Sequence, residues 1–146
     1  MGNAGRIHYA VAFALSLGLT APATAKPKPP KEVIAPRPIT PAEREAVKAA
    51  IKDLMLDPSS AQFKWTPNVH DGRIYCAQFN GKNKFGGYTG FSPFMVHLST
   101  DANGAPAVKI SRIGTNNSPR DLSAMVTRAN CENAGVDWSG PSEFEG

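Results

Sequence analysis

The chain of 146 residues carries 16 Lys plus Arg against 12 Asp plus Glu, with 41% hydrophobic residues, 13 Gly, 13 Pro and 2 Cys. Such a length fits one small domain, and the totals exclude a two-domain enzyme, a disulfide-dense scaffold and a wholly disordered chain. Seven of the prolines fall between Pro22 and Pro41, so the composition is unevenly spread and the two ends must be read separately.

Met1 to Tyr9 carries Arg6 and no acid, Ala10 to Leu19 is apolar, and Ala23-Thr24-Ala25 places small residues around a cut. This three-part pattern predicts a secretory signal peptide over residues 1–25, cleaved after Ala25. Its apolar run is shorter than the roughly 20 residues a bilayer-spanning helix needs, so no transmembrane anchor is expected after cleavage. The expected location is periplasmic or secreted.

Without Arg6 the chain keeps 15 basic and 12 acidic residues, and KPKPPKEVIAPRP, residues 26–38, holds four of those bases and one acid. The remainder is therefore neutral, and the overall basicity is no sign of a folded nucleic-acid site; no nucleic-acid partner is expected. Closely spaced prolines favour extended polyproline II, so residues 26–39 read as a basic, Pro-rich linker. Residues 40–146 read as a single α+β domain whose acidic C-terminal tail carries Glu132, Asp137, Glu143 and Glu145.

Order is expected to begin at Thr40-Pro41-Ala42-Glu43, where Thr40 caps, Pro41 suits the first helical position and Glu43 reaches back as a capping box. Val47, Ala50, Ile51 and Leu54 follow at helical spacing and predict one apolar stripe to about Leu56. Asp57-Pro58-Ser59-Ser60 stops that helix and starts a short turn with Asp57 as cap. The period then changes to two: Gln62 to Thr66 and Arg73 to Asn80 read as strands. In the second, Tyr75, Ala77 and Phe79 share one face and Ile74, Cys76 and Gln78 the other. Pro67 to Gly72 reads as a hairpin connection with Asp71-Gly72 as its turn signal.

Phe94, Val96 and Leu98 alternate again, and Asp101-Ala102-Asn103-Gly104 separates them from a strand over Ala107 to Ile113. Ser118-Pro119-Arg120-Asp121 repeats the logic of cap, first-turn Pro and acid, and Leu122, Met125, Val126 and Ala129 predict a second helical stripe. The expected architecture is a small antiparallel sheet of about four strands with the N-terminal and C-terminal helices on one face.

Two cysteines in a secreted chain most simply form one disulfide, Cys76 to Cys131. A regular last helix would, however, set Cys131 half a turn away from Leu122 and off its apolar stripe. Either that helix ends before Cys131, or Cys131 faces a second contact.

Asn80 to Phe94 reads NGKNKFGGYTGFSPF, combining four Gly, four aromatics and two Lys. Glycines permit sharp turns and close approach, while Lys82, Lys84, Phe85, Tyr88 and Phe91 offer cationic and stacking contacts. It is not a phosphate-binding loop, because Gly87-Tyr88 stands where Lys-Ser/Thr is required, and GGYTG is no dinucleotide fingerprint. The segment reads either as a binding loop or as a wide hairpin whose rings fold back onto the core.

LMLDPSSAQFKW followed by YCAQFNGKNKFGGYTGFSPFMV, spanning Leu54 to Val96, resembles a pattern in a family of small secreted or envelope-associated bacterial proteins. In it, a helix ends in Asp-Pro-x-Ser-Ala-x-Phe, and Cys-x-x-x-Asn-x-Lys-Asn-x-x-Gly-Gly-Tyr-x-Gly-Phe follows. Relatives often have Cys-Gly where this chain has Cys76-Ala77. The resemblance implies an envelope location and carries over no catalytic residue.

Other chemistry is sparse. His8 leaves with the leader, His70 stands beside Asp71 in a turn, and His97 lies on a strand, without metal-ligand spacing. No nucleophile-elbow sequence accompanies the serines, and Asp53, Asp57 and Asp71 read as caps or solvated turn residues rather than paired acids. No catalytic residue, metal or cofactor is assigned. The reading is a non-catalytic binding module for an envelope protein or polymer. Its alternatives are an inhibitor of a secreted cell-wall lytic hydrolase and, behind that, a small hydrolase relying on His70 or His97.

Overall fold

A computed structural model describes residues 34–115 and 120–146. The expected signal segment, most of the expected linker, and Ser118 and Pro119 of the expected second cap lie outside the described residues. The chain order is β1 (Arg37–Pro38), α1 (Pro41–Lys52), a 3-10 turn (Pro58–Ser60), β2 (Gln62–Trp65), β3 (Asn68–Val69), β4 (Ile74–Asn80), β5 (Ser92–Thr100), β6 (Pro106–Ile113), α2 (Leu122–Asn133) and β7 (Glu143–Glu145). Five strands form one antiparallel sheet in the order β6-β5-β4-β2-β7, while β1 and β3 make a separate two-stranded ladder.

Helix α1 begins as its sequence dictates. Thr40 Oγ1 accepts from the Glu43 amide at 3.2 Å, and the Glu43 carboxylate accepts from the Thr40 amide at 3.0 Å, closing the capping box. Arg37 then grips Glu43 through both guanidinium nitrogens, at 2.9 and 2.5 Å. The end of the linker thus joins the fold: Arg37 and Pro38 pair with Val69 and Asn68, and Ile39 packs against the core.

The main core lies between α1 and one face of the sheet. Val47 and Ile51 meet Phe63, Trp65, Tyr75, Ala77, Phe94, Val96 and Leu98, all buried. Phe63 stacks on Trp65 at 4.7 Å between centroids, and the Tyr75 hydroxyl donates to the Thr66 carbonyl at 2.8 Å, so that ring is buried without an orphaned oxygen.

The second helix lies on the opposite face, which corrects the expectation of both helices on one side. Cys76 and Met95, on the reverse of β4 and β5, cluster with Cys131 and Val136, and the Cys76–Cys131 disulfide ties α2 to the sheet. Helix α2 therefore buries Ala124, Thr127 and Cys131, spaced three and four apart. The expected stripe is turned outward instead, with Leu122 70% and Met125 55% exposed. The disulfide fixes this rotation, because a bridge to the reverse of β4 requires Cys131 to face the sheet. Thr127 is accommodated by donating its hydroxyl to the Ser123 carbonyl at 2.7 Å.

Helix α2 ends in a Schellman motif. The Val136 amide donates to the Cys131 carbonyl at 3.0 Å and the Gly135 amide to the Glu132 carbonyl at 2.9 Å, with Gly135 at φ 100°. Past it, Trp138 packs against the disulfide cluster, with Arg128 of α2 over its ring at 5.0 Å.

The acidic tail holds one further strand. On β7, Glu145 accepts from the buried Trp65 indole at 2.8 Å and pairs with Lys48, while Glu143 pairs with Arg44 at 2.8 Å. Alternation over Glu-Phe-Glu puts both acids on the α1 side of the sheet and Phe144 on the other. Within the described residues no helix is long and apolar enough to cross a membrane.

Candidate functional site

The segment between β4 and β5 is a hairpin stacked on a hairpin, and its shape is held by polar side chains. At its base, the Asn80 amide nitrogen donates to Gln62 Oε1 at 3.0 Å, while its oxygen accepts from the Gly90 amide at 3.0 Å. Lys82 and Tyr88 form an antiparallel bridge above that. At the tip, the Asn83 side-chain oxygen accepts from the amides of Phe85 at 2.9 Å and Gly87 at 3.2 Å. The Asn83 amide donates to the Gly87 carbonyl and the Gly86 amide to the Asn83 carbonyl, each at 2.9 Å. Gly86 sits at φ 80° and Gly90 at φ 91°, where an L side chain would be strained.

The loop is bolted to the 3-10 turn that follows α1. The Lys82 amide donates to the Ser60 hydroxyl at 3.0 Å, and Ser60 in turn donates to the Asp57 carbonyl at 2.8 Å. Gly81 lets Met55 close in: a Cβ there would fall 2.2 Å from the Met55 methyl.

Of the five residues singled out from sequence, four stand together at the projecting end. Phe85 is 83% and Tyr88 48% exposed, with Lys84 Nζ 5.1 Å from the Phe85 ring centre and Lys82 Nζ 5.7 Å from that of Tyr88. Phe91 behaves differently. It is half-buried at the hairpin base, edge-on to Phe144 at 6.2 Å and beneath Lys64 Nζ at 4.4 Å. The loop thus divides into an exposed end and a half-buried base.

Sequence reasoning placed Leu54 on the buried stripe of α1, but the helix stops at Lys52, and Leu54 and Leu56 are 60% and 74% exposed. They line a groove of about 360 Å³ together with Met55, Phe79, Lys82 and Ile113. The stop read from the sequence, Asp57-Pro58, caps the separate 3-10 turn instead, and α1 has already ended at Lys52 with Asp53 as its C-cap.

His70 lies elsewhere. It is buried beside Gly135, at the rim of a groove of about 200 Å³ that also touches Asp137, and burial lowers its pKa. The Asp137 carboxylate is taken up by its own turn, accepting from the Ser139 amide at 2.9 Å and hydroxyl at 2.6 Å. His97, on β5, faces Ile74 and Lys109 in the ladder. Among the described residues no three His, Cys, Asp or Glu side chains are grouped so as to hold a metal ion.

No protein-family model matches the chain, and the searches of curated proteins and of solved structures found nothing similar.

Proposed function

We propose that the protein is an exported, non-catalytic interaction module whose contact surface is the hairpin from Lys82 to Tyr88. The observation that carries this reading is the pairing of a hydrogen-bonded loop frame with exposed Phe85 and Tyr88, each accompanied by an ammonium group. A frame already ordered by Asn80 and Asn83 loses little conformational freedom on binding, so contacts at its tip convert more fully into affinity. The leader-like sequence of residues 1–25 supports a periplasmic or secreted location, with the Pro-rich arm as a spacer.

The test replaces Lys82, Lys84, Phe85 and Tyr88 with Ala together. Capture of a partner from envelope extract should be lost while thermal unfolding stays within about 1 kcal/mol of the parent, because these side chains are exposed. A collapse of stability would instead assign the loop to the core. Inhibition of a secreted lytic hydrolase is the second reading, supported by the exposed tip and internal bonding of the same hairpin. Titration against such enzymes separates the two, since an inhibitor gives stoichiometric loss of their activity.

A further inference from the structure

We infer that the loop end of the domain docks on an anionic lipid surface. This rests on the interaction-module reading, because the same hairpin makes the contact. Of the eight large apolar side chains exposed among the described residues, Leu54, Leu56, Phe85 and Tyr88 belong to this end. They are connected by the groups between them. Met55 closes on Gly81, Lys82 shares a groove with Leu54 and Leu56, and the Lys82 ammonium faces Tyr88 one strand pair below the Phe85 tip. Single exposed apolar residues are ordinary, whereas a group of them marks a contact surface.

The chemistry of the group suits the boundary of a bilayer. Aromatic rings settle at headgroup depth, leucines reach the acyl boundary, and lysines beside them meet lipid phosphates. Asn80 to Phe94 contains two lysines and no acid. The neighbouring Asp57 carboxylate, held by the Ser59 amide at 3.1 Å and hydroxyl at 2.5 Å, stays anionic within reach of Lys82 and offsets part of the charge of the two lysines. Shape favours lipid over a bound peptide. The most exposed ring, Phe85, stands at the hairpin tip and does not line the groove, so a peptide lying in the groove would leave it in water, whereas a soft apolar phase receives it without a matching pocket.

The test uses the processed chain recovered from the envelope fraction or medium, sedimented with phosphatidylcholine vesicles with or without about one third phosphatidylglycerol. Binding should require the anionic lipid, and Lys82→Gln with Lys84→Gln should weaken it about 30-fold. Leu56→Ser with Phe85→Ser should weaken it about tenfold or more, with the arm unchanged in every variant. Tryptophan emission of the Phe85→Trp variant should move to the blue on adding vesicles. Absence of vesicle binding, or variants that bind as the parent does, overturns the lipid surface. If a protein partner is then still captured through the same four side chains, the interaction-module reading survives; if those substitutions change nothing, both fall.

Discussion

Opening the Cys76–Cys131 bridge should remove most of the stability of one face of the domain. The bridge spans 55 positions of sequence. Closing a loop of that size in the unfolded chain corresponds to about 4 kcal/mol by the chain-entropy relation. At roughly 4 °C per kcal/mol for a domain of this length, the Cys76→Ala, Cys131→Ala double variant should melt about 15 °C below the parent. The loss should also be uneven. Apart from Cys131, helix α2 buries only Ala124 and Thr127, whereas α1 is anchored by Val47 and Ile51 in a core of large aromatics. Circular dichroism melting with and without reductant gives the total, and amide hydrogen exchange gives its distribution. Amides of α2 should exchange early in the reduced protein while those of α1 and β4 stay protected. A melting point within about 3 °C of the parent, or equal loss of protection in both helices, refutes the reasoning.

Glu43→Gln should cost about 1 kcal/mol at neutral pH, the exposure of Arg37 reducing what the ion pair contributes, as read by urea unfolding. Its hydrogen bonds with Arg37, ahead of those from Thr40, lower the Glu43 pKa from 4.5 to about 2. A carboxylate depressed by folding stabilises the fold above its unfolded pKa, so this contribution should be full above pH 4.5 and fade as pH falls towards 2, with the variant losing that part of the acid dependence. Glu145→Ala should cost about 1 to 3 kcal/mol in the same assay, because it leaves the Trp65 indole N–H buried without its acceptor. Gly114→Ala should cost a similar about 1 to 3 kcal/mol, since a Cβ would fall 3.0 Å from both Ala124 Cβ and Pro93 Cδ and force β5, β6 and α2 apart. Phe91→Ala should destabilise by over about 1 kcal/mol, and Phe85→Ala should not, which checks the division of the loop into base and exposed end.

Local signals in the chain were legible where they act within a few residues. The Thr40 capping box, the alternation of β4 and the Asp57 cap all have causes inside one turn or one strand. The side of the sheet taken by α2 depends on a contact between residues 55 positions apart. Leu122, Met125, Val126 and Ala129 offer the more apolar stripe, and intrinsic hydrophobicity alone favours burying it. Yet two facts read together pointed to the observed arrangement: Cys76 shares no face with Tyr75 and Ala77, and Cys131 lies off the stripe. Strand β7 escaped notice because three residues, two of them acidic, carry no strand signal; they are held by Arg44 and Lys48 of α1, which no local pattern announces. At the candidate site the identity of the loop was plain from its composition. Its division was not, because Phe91 is drawn to the base by Phe144 and Lys64, both remote from it in sequence.

The projecting hairpin keeps its form and its chemistry in separate residues. Asn80, Asn83, Gly86 and Gly90 set the path of the backbone, while the side chains of Lys84, Phe85 and Tyr88 reach outward. The frame's hydrogen bonds run through the backbone and the side chains of Asn80 and Asn83, so replacing the side chains at positions 84, 85 and 88 should leave the path of the hairpin in place.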